Sequence, residues 1–258
     1  MGLLTGNKKS YDADYLFATI QTMKNEFHSY RPDEFEYIVV DEAHHATSPS
    51  YQKVLDHFNP KFLLGMTATP ERSDNGNVFD LFDNNLAVDI RLRQALEENL
   101  LVPFHYYGIT DQTGVDLSDE RLTPDQIAEK LNVTSRVDFI IERMNFYGHD
   151  GPKRKALGFC ITKKHAEFMA AEFNKRGIPS TYLTGEDSEE ERMRQIQLLE
   201  SDTDKLNVIF TVDIFNEGID IPSVNTVLML RPTESAIVFT QQLGRGLRKA
   251  EQKEFLTV

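Results

Sequence analysis

The chain has 258 residues, 41 acidic against 28 basic side chains, a single cysteine and no tryptophan. Cys160 alone excludes a disulfide framework or a multi-cysteine zinc module, and it fits a reducing, cytoplasmic setting. The net charge of −13 excludes a coat protein that neutralises nucleic acid over its whole surface, though not a local groove.

The acidic excess is spread along the chain: 16 acidic and 9 basic residues over 1–104, and 25 and 19 beyond. No charged tail therefore stands apart. The start, Met1-Gly2-Leu3-Leu4-Thr5-Gly6, lacks the charged and apolar regions of a signal peptide. No apolar run reaches the ~18–20 residues of a membrane span, so no membrane partner is expected.

Strand and helix signals alternate. Tyr15–Ile20, Phe35–Val40 and Phe62–Met66 read as short apolar strands. Tyr51–Phe58 has apolar residues at helical spacing. A second series begins with a strand at Phe104–Ile109, after which Asp111–Pro124 reads as a polar surface excursion. Val137–Phe146 reads as a helix, Ala156–Ile161 as a strand, and Lys164–Lys175 as a helix stopped at Gly177. Ser180–Leu183 is a strand. Ser188 opens the next helix, with Glu191 completing a capping box. Leu206–Thr211 and Val224–Leu230 are further strands, and a last helix spans Ser235 to Gly244. Short continuous apolar strands between helices predict parallel sheets covered by helices. The pattern divides into 1–102 and 103–258.

Functional candidates lie at the ends of these strands, where open α/β sheets bind ligands. Asp41-Glu42-Ala43-His44 ends one strand. Of two adjacent carboxylates, one can hold Mg²⁺ and the other can orient a water toward a γ-phosphate. Thr67-Ala68-Thr69-Pro70 ends the next strand, with hydroxyls suited to linking such carboxylates to other groups. Near the C-terminus, Gln241, Gly244, Arg245 and Arg248 form the pattern Q-x-x-G-R-x-x-R. Two arginines three apart at a helix–loop junction can both reach a triphosphate. Before them, Asp213–Pro222 follows a strand. Gly218 allows a tight turn there, and Asp220 can accept from a ribose. His44-His45 makes a poor metal pair, because adjacent histidines on one loop seldom converge on an ion. Cys160 sits in an apolar strand and reads as a small buried hydrophobe.

Together these motifs resemble helicase superfamily 2 in order, spacing and strand-end placement. Asp41–His44 is similar to motif II, Thr67–Thr69 to motif III, Phe159–Thr162 to motif IV, Asp213–Asp220 to motif V and Gln241–Arg248 to motif VI. Phe17–Met23 and Phe62–Arg72 resemble the branch that holds the XPB-like enzymes and the type I and III restriction motors.

The resemblance covers nearly the whole chain. It implies two RecA-like parallel-sheet domains, with ATP and Mg²⁺ between them and nucleic acid across both. The branch favours DNA over RNA. It implies that Asp41 binds Mg²⁺, that Glu42 positions the attacking water, and that His44 couples to Gln241. Arg245 and Arg248 would reach the γ-phosphate, with Asp220, Gly218, Thr67 and Thr69 also around the nucleotide. Thr19, Gln21, Thr22, Thr162, Thr184 and Gly185 would face nucleic acid.

One element of the family is missing. The pattern G-x-x-x-x-G-K-[ST] does not occur. The nearest stretch, Gly2–Lys9, has Asn7 and Lys9 at the positions of the second glycine and the hydroxyl. The expectation is therefore a first domain short at its N-terminus, without its first strand, phosphate loop and first helix. Further domains would belong to the full-length chain, and the chain as it stands would be inactive toward ATP. In motif V, Val212 stands where the family often has threonine, with Thr211 one position earlier. Two other readings stay open: a non-enzymatic nucleic-acid-binding module, and a restriction-complex translocase that does not separate strands.

Overall fold

The computed structural model describes residues 1–6, 8–68, 78–119, 121–212, 221–232 and 236–258, without the side chains of residues 236 and 237. It forms two compact units, residues 1–89 and 90–258. The stretch 90–102, read from sequence with the first domain, packs with the second. Leu92, Leu101 and Val102 join the second unit's core, and Val102 N–H donates to the Leu247 carbonyl at 2.8 Å.

In the first unit, β1 (Gly2–Leu4) and β2 (Leu16–Ala18) pair in parallel, and Thr19 caps α1 (Ile20–Glu26). The strand expected over Tyr15–Ile20 is thus shorter. Thr19 keeps an extended backbone, and Ile20 begins the helix. Gly2–Leu4 is strand, Lys9 bridges back to Leu4, and among the described residues no helix occurs before Ile20. A phosphate loop opens directly into a helix.

β3 (Tyr37–Val40) and β4 (Phe62–Gly65) form a second parallel pair, with Tyr37 opposite Phe62 and Val40 opposite Gly65. Between them runs α2 (Pro49–Leu55), with proline in its first turn, where its missing N–H costs nothing. Ile38 and Val40 pack inward with Ala43, Ala46 and Tyr51. Tyr37, Val39 and Phe62 on the opposite face stay half or more exposed. The helical cover expected on this pair is therefore present on one face.

The second unit is a doubly wound parallel sheet. Along the chain come α3 (Leu92–Glu97), β5 (Phe104–His105), α4 (Pro124–Leu131), α5 (Thr134–Tyr147), β6 (Ala156–Phe159) and α6 (Lys163–Lys175). They are followed by β7 (Ser180–Leu183), α7 (Glu189–Glu200), β8 (Val208–Thr211), β9 (Thr226–Met229), α8 (Ala236–Gly244) and β10 (Leu256–Thr257). The six strands lie in the order β5-β10-β9-β6-β8-β7, all parallel. Every residue of β6 and β8 is buried, because helices cover both faces. Leu157, Phe159 and Ile209 point into one layer with Ile196, Leu199 and Leu243. Ala156, Val208 and Phe210 point into the other, with Val137, Met169 and Phe173. Each fully buried side chain of this size contributes roughly 1.5–3 kcal/mol.

Several sequence expectations shift in detail. β5 stops at His105, so Tyr106–Ile109 leaves the sheet. The excursion after Asp111 ends in α4, capped by a reciprocal pair: Thr123 accepts from Gln126 N–H, and Gln126 returns to Thr123 N–H. Ser188 caps α7, but the Glu191 carboxylate turns to Arg194 and Gln195 instead of closing a capping box. Burial drives the Cys160 thiol well above its ordinary range, which keeps it an inert apolar group.

Buried polar groups fasten the sheet. Asn225 is 4% exposed. It accepts from Lys155 N–H at 2.9 Å and donates to the Asp150 and Lys153 carbonyls at 2.6 and 2.7 Å. This ties the strand entries of β6 and β9 together.

His165, fully buried on α6, is pushed down to about 4 by burial and by the charge of Arg136. Between about pH 6.5 and 4 the unfolded chain takes a proton that the folded chain refuses, so stability falls as pH falls through that window. The expected loss is about 2 kcal/mol from pH 7 to pH 5. Urea denaturation at both pH values should show this slope, and His165→Gln should flatten it.

Candidate functional site

The carboxyl ends of β3 and β4 lie side by side because their register is parallel and in step. The chain leaving β3 is held by Met66 N–H donating to the Val40 carbonyl and Ala43 N–H donating to the Met66 carbonyl, each at 2.9 Å. This cross-linking leaves a tight turn at Asp41-Glu42, which Glu42 completes in the left-handed region (φ 48°, ψ 49°). A non-glycine residue there costs of order 1–3 kcal/mol and persists only where the surroundings impose it. The Glu42 N–H donates to Asp41 Oδ1 at 3.0 Å.

His44 is buried in the short 3₁₀ turn that follows. Its Nδ1 lies 2.9 Å from the Thr67 hydroxyl and 3.3 Å from Glu42 Oε2. The motif II and motif III residues therefore meet in one knot at the strand ends: His44 sits between Glu42 and Thr67, while Asp41 stands exposed beside them. Gly65 makes the close approach possible, since a Cβ there would lie 2.5 Å from the Phe82 ring and 3.0 Å from Ala43 Cβ. Thr69 lies outside the described residues.

A single exposed carboxylate suits Mg²⁺, which keeps several waters and takes one or two carboxylates along with phosphate oxygens. Asp41 meets that requirement. No cluster of three or more metal-ligating side chains occurs among the described residues.

Thr19 and Gln21 are exposed at the start of α1, and Thr22 is half-buried. Thr19 Oγ1 donates to Thr22 Oγ1 at 3.0 Å, so the three residues form one polar corner.

On the second unit, Thr162 follows β6 and Thr184-Gly185 follows β7, at the carboxyl edge of the same sheet. Lys163 pairs with Glu186 and so links the two loops. The Thr162 hydroxyl caps α6 by accepting from His165 N–H at 3.2 Å. Thr184 is 5% exposed and donates its hydroxyl to Asp187 at 3.1 Å, so the turn presents exposed Gly185 outward. Thr211 is fully buried in β8 and does not stand in for the hydroxyl absent at Val212.

Gln241 lies half-buried on α8. Arg245 and Arg248 follow on the turn after it, half-buried and exposed respectively. Gly246 lets this turn press on β10, since a Cβ would meet Leu256 Cδ1 at 2.5 Å. Lys253, 8% exposed, donates to the Pro222 and Arg248 carbonyls at 2.8 and 2.9 Å. It fastens the arginine turn to the chain after Asp220. Sequence reasoning missed this lysine, because nothing in its neighbours signals burial. Gly218 and Asp220 lie outside the described residues.

Residues 1–72 match the family described as "Type III restriction enzyme, res subunit", and residues 135–250 match "Helicase conserved C-terminal domain". The two matches fall in the order of the motifs. The chain belongs to helicase superfamily 2, in its restriction-motor and XPB-like branch. A Schizosaccharomyces pombe protein named as a mitochondrial ATP-dependent helicase, irc3, is 32% identical over 93% of this chain and 40% of its own length. The Saccharomyces cerevisiae protein named as the ATP-dependent helicase IRC3 is 26% identical over 94% of this chain and 36% of its own. The chain thus spans well under half the length of these relatives. A solved fragment titled as an HsdR subunit of a type I restriction enzyme from Vibrio vulnificus superposes over 99% of this chain and 49% of its own, with a TM-score of 0.78 at 22% identity. At that identity the likeness establishes the fold alone, which is RecA-like. Among the described residues, no helix is long and apolar enough to cross a membrane.

Proposed function

We propose that this chain is the motor core of an ATP-dependent helicase or translocase acting on DNA. The observation that carries the reading is the Glu42–His44–Thr67 knot beside exposed Asp41. It holds the Glu42 carboxylate at a strand end, on a left-handed turn, against the buried His44 ring that also meets Thr67. In this reading ATP with Mg²⁺ supplies the phosphoryl group to be transferred to water. Asp41 holds the ion, and Glu42 orients the attacking water and accepts its proton. His44 fixes the Glu42 carboxylate and relays to Thr67, and Gln241 belongs to the same motif set on the second unit. Arg245 and Arg248 neutralise charge on the leaving and transferred phosphate oxygens. Asp220 and Gly218 contact the nucleoside, with Thr69 beside them. Thr19, Gln21, Thr22, Thr162 and Gly185 track the nucleic-acid backbone, through hydroxyls and backbone groups more than through cations, while Thr184, buried and bonded to Asp187, shapes the turn that presents Gly185.

The chain's own residues fit only part of the nucleotide. Nothing in the 258 residues matches the phosphate loop, whose backbone N–H groups and lysine cradle the β- and γ-phosphates. The chain alone is therefore expected not to turn over ATP. Steady-state phosphate release with single-stranded DNA present should match that of the Glu42→Gln variant. Robust stimulated turnover by the unaltered chain would overturn this.

The match to a restriction-enzyme res subunit favours translocation without strand separation as a second reading. A strand-displacement assay on a form carrying the phosphate loop separates the two, since a pure translocase displaces a bound protein roadblock but not an annealed strand. The longer relatives point to further domains as partners. The cytoplasmic placement rests on cysteine usage alone.

A further inference from the structure

On the second unit, the turn from β7 into α7, residues 184–187, carries the exposed Gly185. Glycine has no side chain with which to anchor itself, and its backbone is the freest of any residue. Its place is therefore set by its neighbours, and two charged side chains do this.

Asp187 acts from within the turn. Its Oδ2 accepts from the Thr184 N–H at 2.6 Å and from the Thr184 hydroxyl at 3.1 Å. That hydroxyl in turn accepts from the Glu186 N–H at 3.3 Å. The Asp187 N–H closes the turn on the Thr184 carbonyl, also at 3.3 Å.

Arg192 acts from the helix. Its N–H donates to the Ser188 carbonyl at 3.0 Å, and Ser188 caps α7 by accepting from Glu191 N–H at 3.2 Å. The side chain thus springs from a fixed point. Its Nη2 donates to the Gly185 carbonyl at 2.8 Å and to the Thr184 carbonyl at 3.3 Å, and its Nε is buried. This guanidinium is engaged by the protein's own main chain.

Each anchor carries a full charge, and charge-assisted hydrogen bonds are roughly twice as strong as neutral ones. The turn is therefore a stiff frame. Among the described residues the Gly185 N–H donates to no group. A backbone N–H held in place and left without an internal acceptor suits a phosphate oxygen.

We propose that Asp187 and Arg192 are positioning residues for nucleic acid. They hold the turn so that the Gly185 N–H meets a backbone phosphate, and neither side chain touches the nucleic acid itself. The proposal rests on the reading of Gly185 as a nucleic-acid contact. It separates cleanly from an effect of charge. By charge alone, losing Arg192 weakens the hold on a polyanion and losing Asp187 strengthens it. By position, both losses weaken it. A side chain that meets a phosphate also adds to the salt dependence of binding, whereas a positioning side chain does not.

The test titrates the 258-residue chain against fluorescently labelled oligothymidylate by anisotropy, from about 50 to 200 mM salt. Arg192→Ala and Asp187→Ala are each expected to weaken binding about tenfold, the scale of one charge-assisted hydrogen bond. The slope of log affinity against log salt should stay that of the unaltered chain. Amide exchange at Thr184 and Glu186 should quicken in both variants, while exchange across Val208–Thr211 stays slow and shows the sheet intact. The two variants remove different anchors, so either one that folds carries the test. Tighter binding by Asp187→Ala, or affinity unchanged in either variant, would overturn the proposal and leave the reading of Gly185 standing. So would a slope shallower by about 0.7 in Arg192→Ala, the signature of a lost phosphate contact on a single strand. No binding by the unaltered chain would overturn the reading of Gly185 and the proposal with it.

Discussion

Replacing Phe210 with alanine is expected to destabilise the second unit by about 3–5 kcal/mol, the usual cost of emptying a fully buried phenylalanine site. Phe210 is 0% exposed at the centre of β8 and meets Phe173 edge-on, with ring centres 4.9 Å apart. Its cross-strand neighbour is Gly158 of β6, and the ring lies directly over that glycine. A Cβ at Gly158 would sit 2.4 Å from Phe210 Cδ1, far inside van der Waals contact. Gly158→Ala is therefore expected to cost about 1–3 kcal/mol by overpacking, although alanine has the better intrinsic preference. A double-mutant cycle checks the cause. Gly158→Ala with Phe210→Leu should lose less than the sum of the singles, because leucine vacates the space that the new methyl needs. Additive losses in urea denaturation would show that some other neighbour sets the demand for glycine.

The same pair shows what sequence can and cannot convey. Ala156–Phe159 and Val208–Thr211 are legible as buried strands, because continuous apolar runs imply cover on both faces. The cap at Ser188 is legible because it is local, and Thr123-Pro124 with Gln126 carried an equally local signal. The ring of Phe210 over Gly158 is not legible, since it depends on which strands become neighbours. The strand order has the same character: β10, last in the chain, inserts between β5 and β9, a pairing across some 150 residues with no local trace. Lys253 and Asn225 read as surface residues by type, yet both are buried and act as staples. Around the site, Asp41, Glu42, His44 and Thr67 were legible because their spacing from the strand ends is short-range. Their geometry was not, because the left-handed turn at Glu42 follows from the Ala43–Met66 cross-link.

That turn gives the second large expectation. In the proposed role the Glu42 side chain serves chemistry while its left-handed backbone opposes stability, and two substitutions separate the roles. Glu42→Ala and Glu42→Gly both remove the carboxylate and its contact with His44, so the difference between them reports the backbone alone. At φ 48° glycine escapes the left-handed penalty that alanine bears. Glu42→Gly is therefore expected to be about 1 kcal/mol more stable than Glu42→Ala, measured by urea denaturation of the 258-residue chain. Equal stabilities would mean that the turn relaxes once the carboxylate is gone. In a form of the chain joined to a strand–loop–helix segment bearing G-x-x-x-x-G-K-[ST], Glu42→Gln should lower kcat by about 10²–10⁴, with nucleotide affinity retained. Glutamine keeps the size and hydrogen-bonding reach of the side chain but cannot take the proton from water. If Glu42→Gln instead weakens nucleotide binding and leaves kcat unchanged, the carboxylate holds the nucleotide and Asp41 becomes the group that handles the water. A site that accepts strain at Glu42 in exchange for rate should show both signatures together, with a variant that is no less stable than Glu42→Ala and yet as inactive.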